Sequence, residues 1–135
     1  TRFRNHPGSR YESERDWSGM TAPDDIALVP AIAARTDRVL DSTASPDRDA
    51  LCALPDDRRV ERVHLCGLDT DQCVLATALL LWDEGFRPVV LADLCTSSGG
   101  AELHDAARAI LRRSIGDRNV VRAGDLVPDL WTAGA

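Results

Sequence analysis

A chain of 135 residues with formal net charge −6, a pI near 4.9 and 44% apolar residues has the size and make-up of one acidic, soluble domain with a real core. It carries no basic stripe, which makes nucleic acid a poor partner because phosphate contacts supply most of that affinity. No apolar run nears the ~20 residues that span a bilayer, and no signal peptide is visible, so a cytoplasmic, membrane-free protein is expected.

All 16 basic residues are arginine, and the chain opens on Thr1 rather than methionine. Residues Thr1 to Asn5 read as a strand end, and the polar stretch from His6 to Met20 as a long connecting loop of the kind that often walls a site. Thr21 to Asp25 has the caps and early acids of a helix entry, followed by a short apolar face at Ile26, Leu28, Val29 and Ile32 that Pro30 interrupts. Asp37 to Leu40 is a candidate short strand, and Asp47 to Leu54 a short helix stopped by Pro55-Asp56-Asp57.

The stretch from Val60 to Trp82 carries the strongest signal. The apolar run ending at Gly67-Leu68 reads as a strand buried on both faces of a parallel sheet, then comes the polar turn Asp69-Thr70-Asp71, then a helix to Glu84. Val74, Leu75, Ala78, Leu81 and Trp82 share one face of that helix, and Leu79 and Leu80 widen it. So broad a surface suits sheet packing together with a subunit interface, and a homo-oligomer is expected. Gly85 is the natural residue to end the helix. Arg87 to Leu94 is a second buried parallel strand whose end, with Asp93 and Cys95 to Gly100, reaches the same carboxyl edge; Gly99-Gly100 reads as a plain turn rather than an anion cradle. Ala101 to Ser114 is an amphipathic helix with Leu103, Ala106, Ala107, Ile110 and Leu111 inward and Arg108 among its outward residues. Asn119 to Arg122 makes a last strand, and Asp125 to Val127 with Trp131 a final turn. Strands alternating with helices give an α/β architecture with a doubly wound, mostly parallel sheet.

Cys73 falls in the first turn of a helix at the carboxyl edge, where such sheets place their ligands. Unsatisfied N–H groups and the helix dipole favour a thiolate there, while Asp69 and Asp71 oppose it. The bland alternative is a small buried hydrophobe, as for Cys95. Cys52, Cys66, Cys73 and Cys95 are not spaced as a zinc site or a C-x-x-C pair and read as reduced thiols; no metal and no cofactor is expected.

Gly67-Leu68-Asp69-Thr70-Asp71-Gln72-Cys73-Val74 resembles the G-[hydrophobic]-x-T-[DE]-x-C-V signature of the isochorismatase-like cysteine hydrolases, which include nicotinamidases and N-carbamoylsarcosine amidase; the likeness runs from Leu65 to Gly100. The resemblance implies a three-layer fold over one partial domain, residues 1–135. It also implies a small-molecule substrate, Cys73 as nucleophile, a cis Leu68–Asp69 peptide, and an oxyanion hole made by the N–H groups of Asp69 and Cys73. Phe3, Asn5, Pro7, Ser9 and Tyr11 loosely match the segment after the family's second strand. The first, central strand, which carries the family's catalytic aspartate, would then precede Thr1. The family's lysine corresponds to Ser42, or to Asp41 with a one-residue shift, and an arginine could approach instead but would be a poor proton shuttle. The aspartate of the nicotinamidase D-x-H-P metal motif is replaced before His6 by Phe3 or Arg4, which argues against a metal-bearing relative. Relatives have a histidine at His104, read here as a surface residue with a helix-start contact as the alternative. Activity is expected to be altered or lost, a binding or assembly role being the alternative.

Overall fold

The computed structural model describes residues 1–42, 48–53, 60 and 62–126. Two compact units divide the chain, Thr1–Ala53 and Leu54–Ala135. The sequence-predicted turn Pro55-Asp56-Asp57, as well as Val127 and Trp131, lies outside the described residues.

The first unit contains β1 (Arg2–Phe3), α1 (Arg10–Arg15), α2 (Pro30–Ala33), β2 (Asp41–Ser42) and α3 (Arg48–Cys52). β1 and β2 pair in parallel, Arg2 opposite Asp41 and Phe3 opposite Ser42. The second strand forms just past the Asp37–Leu40 segment that sequence suggested. The presumed loop from His6 to Met20 contains α1. Ser9 caps it by accepting from the Glu12 N–H at 3.3 Å, and the Glu12 carboxylate reaches back to the Gly8 N–H at 2.6 Å. That reciprocal pair is a variant of the capping box, legible in the Ser-x-x-Glu spacing. Phe3, Tyr11 and Trp17 pack edge and tilted with ring centroids 5.1 to 5.8 Å apart. Asn5, 2% exposed, donates to the carbonyls of Trp17 and Gly19 and accepts from Ser9, tying the segment to the strand end. These aromatics anchor the loop.

The second unit contains β3 (Arg62–Leu68), a π-helical turn (Thr70–Val74), α4 (Leu75–Asp83), β4 (Arg87–Thr96), α5 (Ala101–Ile115), a 3₁₀ turn (Asp117–Asn119) and β5 (Val120–Val121). Its sheet is parallel throughout, in the order β3-β4-β5. Val74, Ala78, Val90, Ala92, Leu111, Ile115 and Val120 form the core between the sheet and the two helices.

Three expectations change here. β3 is not buried on both faces: its side chains alternate, and Arg62, His64, Cys66 and Leu68 are exposed. Among the described residues it is the edge strand of this sheet, and α4 and α5 cover one face. On α4 the buried positions are Thr77, Ala78 and Leu81, continuing from Val74 in the preceding turn, whereas Trp82 is 44% exposed at the margin of the stripe. Thr77 tolerates burial because its hydroxyl donates to the Cys73 carbonyl at 2.6 Å. On α5 the inward set is Ala107, Leu111 and Ile115, with His104 and Arg108 half-buried; Ala106, Leu103 and Ile110 are exposed. Gly85 ends α4 as expected, at φ +85°, with the Gly85 N–H bonded to Trp82 O and the Phe86 N–H to Leu81 O.

The register of β3 against β4 places the site. Leu65 pairs with Val90, but Gly67 pairs with Cys95, so β4 takes up several extra residues between. That irregularity re-aims the end of β4. Within it Asp93 accepts from the Ala123 N–H at 2.7 Å.

Candidate active site

β3 ends at Leu68, and the Leu68–Asp69 peptide is cis, as the resemblance implied. Asp69 is extended, and the Gln72 and Val74 N–H groups donate to its carbonyl at 3.2 and 3.1 Å, which closes the turn that carries Cys73. Cys73 is half-buried at the start of the helical segment, on the carboxyl edge of the sheet. The turn is wider than the α-helical first turn expected from the sequence. Single wide turns of this kind recur at functional sites.

Two side-chain grips hold the turn. The Asp69 carboxylate accepts from the Ser98 N–H and from the Ser98 hydroxyl, each at 2.8 Å. The wholly buried Thr70 hydroxyl lies 2.8 Å from His104 Nδ1. His104 is therefore a half-buried partner of the cysteine turn rather than a surface residue. Sequence reading placed Ser98 at the right edge without a role. Its contact with Asp69 spans 29 positions and follows from the β4 irregularity, so no local pattern announces it. The Gly99 and Gly100 N–H groups bond to the Ser97 hydroxyl and carbonyl, which makes Gly99-Gly100 a turn whose donors are spent internally.

The electrostatic setting is uneven. One oxygen of the Asp71 carboxylate is buried with no hydrogen-bond partner among the described residues. Burial pushes the Cys95 thiol up, opposed by a hydrogen bond from the Gly67 backbone. With its side chain packed on the core, Cys95 stays a protonated packing residue.

In the first unit, His6 and the two positions considered for the family lysine, Asp41 and Ser42, line one cleft of about 250 Å³ with Arg4 and Asn5. Arg2 grips Asp41 with Nε at 2.8 Å and a second nitrogen at 3.0 Å, and Arg4 lies 3.6 Å from the same carboxylate. Asp41 is thus committed to an ion pair. Among the described residues no three His, Cys, Asp or Glu side chains gather as a cation would require. The Asn5-His6 cleft does not fit the nicotinamidase metal.

A parallel α/β protein with a cysteine turn at the sheet's carboxyl edge is the class these features define. A family model described as the isochorismatase domain matches residues 1–118, and the chain belongs to that family. Isochorismatase domain-containing protein 2 of Xenopus laevis is 41% identical over 49 residues, 36% of this chain and 22% of that protein's length. Among solved structures, an isochorismatase-like hydrolase from Alkaliphilus metalliredigens superposes at TM-score 0.75 with 16% identity, over 94% of this chain and 69% of the other. A nicotinamidase from Bacillus subtilis gives 0.55 with 24% identity, over 76% and 57%. At these identities the structural likeness speaks for the parallel α/β fold. No helix among the described residues is long and apolar enough to cross a membrane.

Proposed function

We propose that this chain carries the cysteine-hydrolase chemistry of its family and cleaves an amide or related C–N bond of a small molecule through Cys73. The Cys73 sulfur attacks the carbonyl carbon, forming an S–C bond while the oxygen becomes an oxyanion. The Asp69 and Cys73 N–H groups receive that charge. Collapse breaks the C–N bond, and the leaving nitrogen takes the proton that the Cys73 thiol gave up. Water then attacks the thioester, the C–S bond breaks, and the acid leaves while the proton shed by the water returns to the Cys73 sulfur as the thiol. The turn from Asp69 to Cys73 at the carboxyl edge of the sheet, closed by the Gln72 and Val74 N–H groups on the Asp69 carbonyl, is the observation that supports this reading.

Ser42 favours a second reading, a family member impaired in turnover that serves as a binding or assembly domain. A neutral hydroxyl at the lysine's place removes a charge that would stabilise the thiolate and move a proton. A cytoplasmic location and self-association, expected from the sequence, are proposed alongside the first reading. Leu103 and Ile110, seven residues apart on α5 and each 47% exposed, are the surface that would carry self-association.

The deciding experiment follows ammonia or amine release from a panel of small amides by the full chain, Cys73→Ala and Ser42→Lys. The first reading expects a loss of about 10³-fold or more in Cys73→Ala, and faster turnover in Ser42→Lys. Release that survives Cys73→Ala would sink it. No release by the parent chain with release by Ser42→Lys would establish the second.

A further inference from the structure

A cleft opens at the far end of the same sheet. Parallel strands put all their amino ends together, so β4 begins opposite the cysteine turn, where α4 and α5 finish. The cleft, of about 400 Å³, is lined by Trp82, Arg87, Ser114, Ile115, Arg118 and Asn119. That volume lies within the range of small-molecule sites.

Its polar groups are arranged. Asn119 is 4% exposed and donates to the Ile115 carbonyl at 2.6 Å, which satisfies the end of α5 and fixes the amide. Its oxygen accepts from Arg87 Nε at 3.3 Å, so a buried amide aims the guanidinium. Arg62 stands opposite Arg87 in the β3–β4 register, and like charges so paired repel. Among the described residues none of Arg62, Arg87 and Arg118 has a carboxylate within ion-pair distance. Asp117, beside Arg118, turns to Arg112 at 3.8 Å. Arg87 and Arg118 are thus the two cations that line the cleft, each without a carboxylate at ion-pair distance among the described residues.

The apolar half is equally specific. Trp82 is 44% exposed at the cleft, its indole unburied by the core it was expected to join. An exposed indole beside an oriented guanidinium matches a ligand with a planar ring and an anionic group: the ring stacks on Trp82, and the anion takes the outer nitrogens of Arg87 and the charge of Arg118.

We infer that this cleft binds a small molecule in which a planar ring carries a phosphate or a carboxylate, independently of the cysteine turn. Adenosine 5′-monophosphate and benzoate are the probes for the two anion sources, with adenosine and inorganic phosphate as halves of the first. Titration calorimetry on the full chain is expected to show at least one of the two ring anions binding below about 1 mM. Arg118→Gln and Trp82→Ala should each weaken it about tenfold, and Cys73→Ala should leave it unchanged. Tighter binding of the nucleotide identifies a phosphate ligand, and of benzoate a carboxylate. Arg87→Gln tests the oriented cation, and Arg118→Gln, which disturbs no contact of Asn119, answers if that variant does not fold. Absence of binding by both ring anions overturns the inference. So does equal affinity in Arg118→Gln, or inorganic phosphate binding as tightly as the nucleotide.

Discussion

Two strand ends in this molecule hold a carboxylate by opposite means. Asp69, after β3, is held by the neutral donors of Ser98, on a turn packed over buried Val74 and Ala78. Asp41, on β2, is held by a charged fork from Arg2 on the surface of the first unit. Neutral donors from a fixed backbone cost little ordering entropy and keep their direction, whereas a surface ion pair is screened and must immobilise two side chains. The first arrangement can position a backbone to hydrogen-bond accuracy. The second can only bias a charge. The cysteine chemistry proposed above needs position, which the Asp69 turn suits better than the arginine-rich cleft.

The comparison breaks most violently if the core under the turn is emptied. Leu111 is wholly buried against Val74 and Ala78, so Leu111→Ala should lower unfolding stability by about 2–5 kcal/mol in urea melts. A change under about 1 kcal/mol would mean that the turn does not stand on this core.

Next in size are the grips themselves. Ser98→Ala removes a hydroxyl donor from Asp69 but keeps the backbone donor, and should cost about 1 kcal/mol. Thr70→Val keeps the shape and strands His104, and should cost about 1–2 kcal/mol. The distinguishing readout is the alkylation rate of Cys73 against that of Cys52. If the grips position the turn, both variants change the Cys73 rate and leave Cys52 alone. Equal rates in both variants and the parent would reduce Asp69–Ser98 and Thr70–His104 to ordinary stability contacts.

What the sequence showed and hid follows the same division. β4, the stop at Gly85 and the strand at Val120-Val121 were legible because each is specified by neighbours, an apolar run or a glycine at positive φ, and the cysteine turn was legible in its Gly67-to-Val74 signature. The facing of α5 was not. Its apolar residues support two stripes, one through Leu103 and Ile110 and one through Ala107, Leu111 and Ile115. The second is the one that is buried, and His104 on the same side reaches Thr70. α1 was overlooked despite its Ser9-Glu12 signature, because a six-residue helix with Tyr11 as its one aromatic and no buried residue shows no apolar stripe to announce it. The Ser98 grip and the half-exposed face of β3 were hidden for a further reason: register and strand order are non-local, and an apolar run reads the same at a sheet edge as at its centre.

The smallest effect belongs to Asp41 and tests the other half of the comparison. Hydrogen bonds from Arg2 hold its carboxyl below the usual carboxylate range, with the charges of Arg2 and Arg4 acting the same way. A carboxyl lowered in the folded state contributes stability that is present above its unfolded value near 3.9 and is lost as pH falls through the lowered folded value. Thermal melts of the parent and Asp41→Asn should therefore differ slightly at about pH 7 and converge once the pH has fallen below the lowered folded value. The difference at neutral pH should also shrink in about 1 M salt, because the pair is exposed and screened. A gap that persists in acid and in salt would show that Asp41 is held by position, as Asp69 is, and the contrast between the two strand ends would fall.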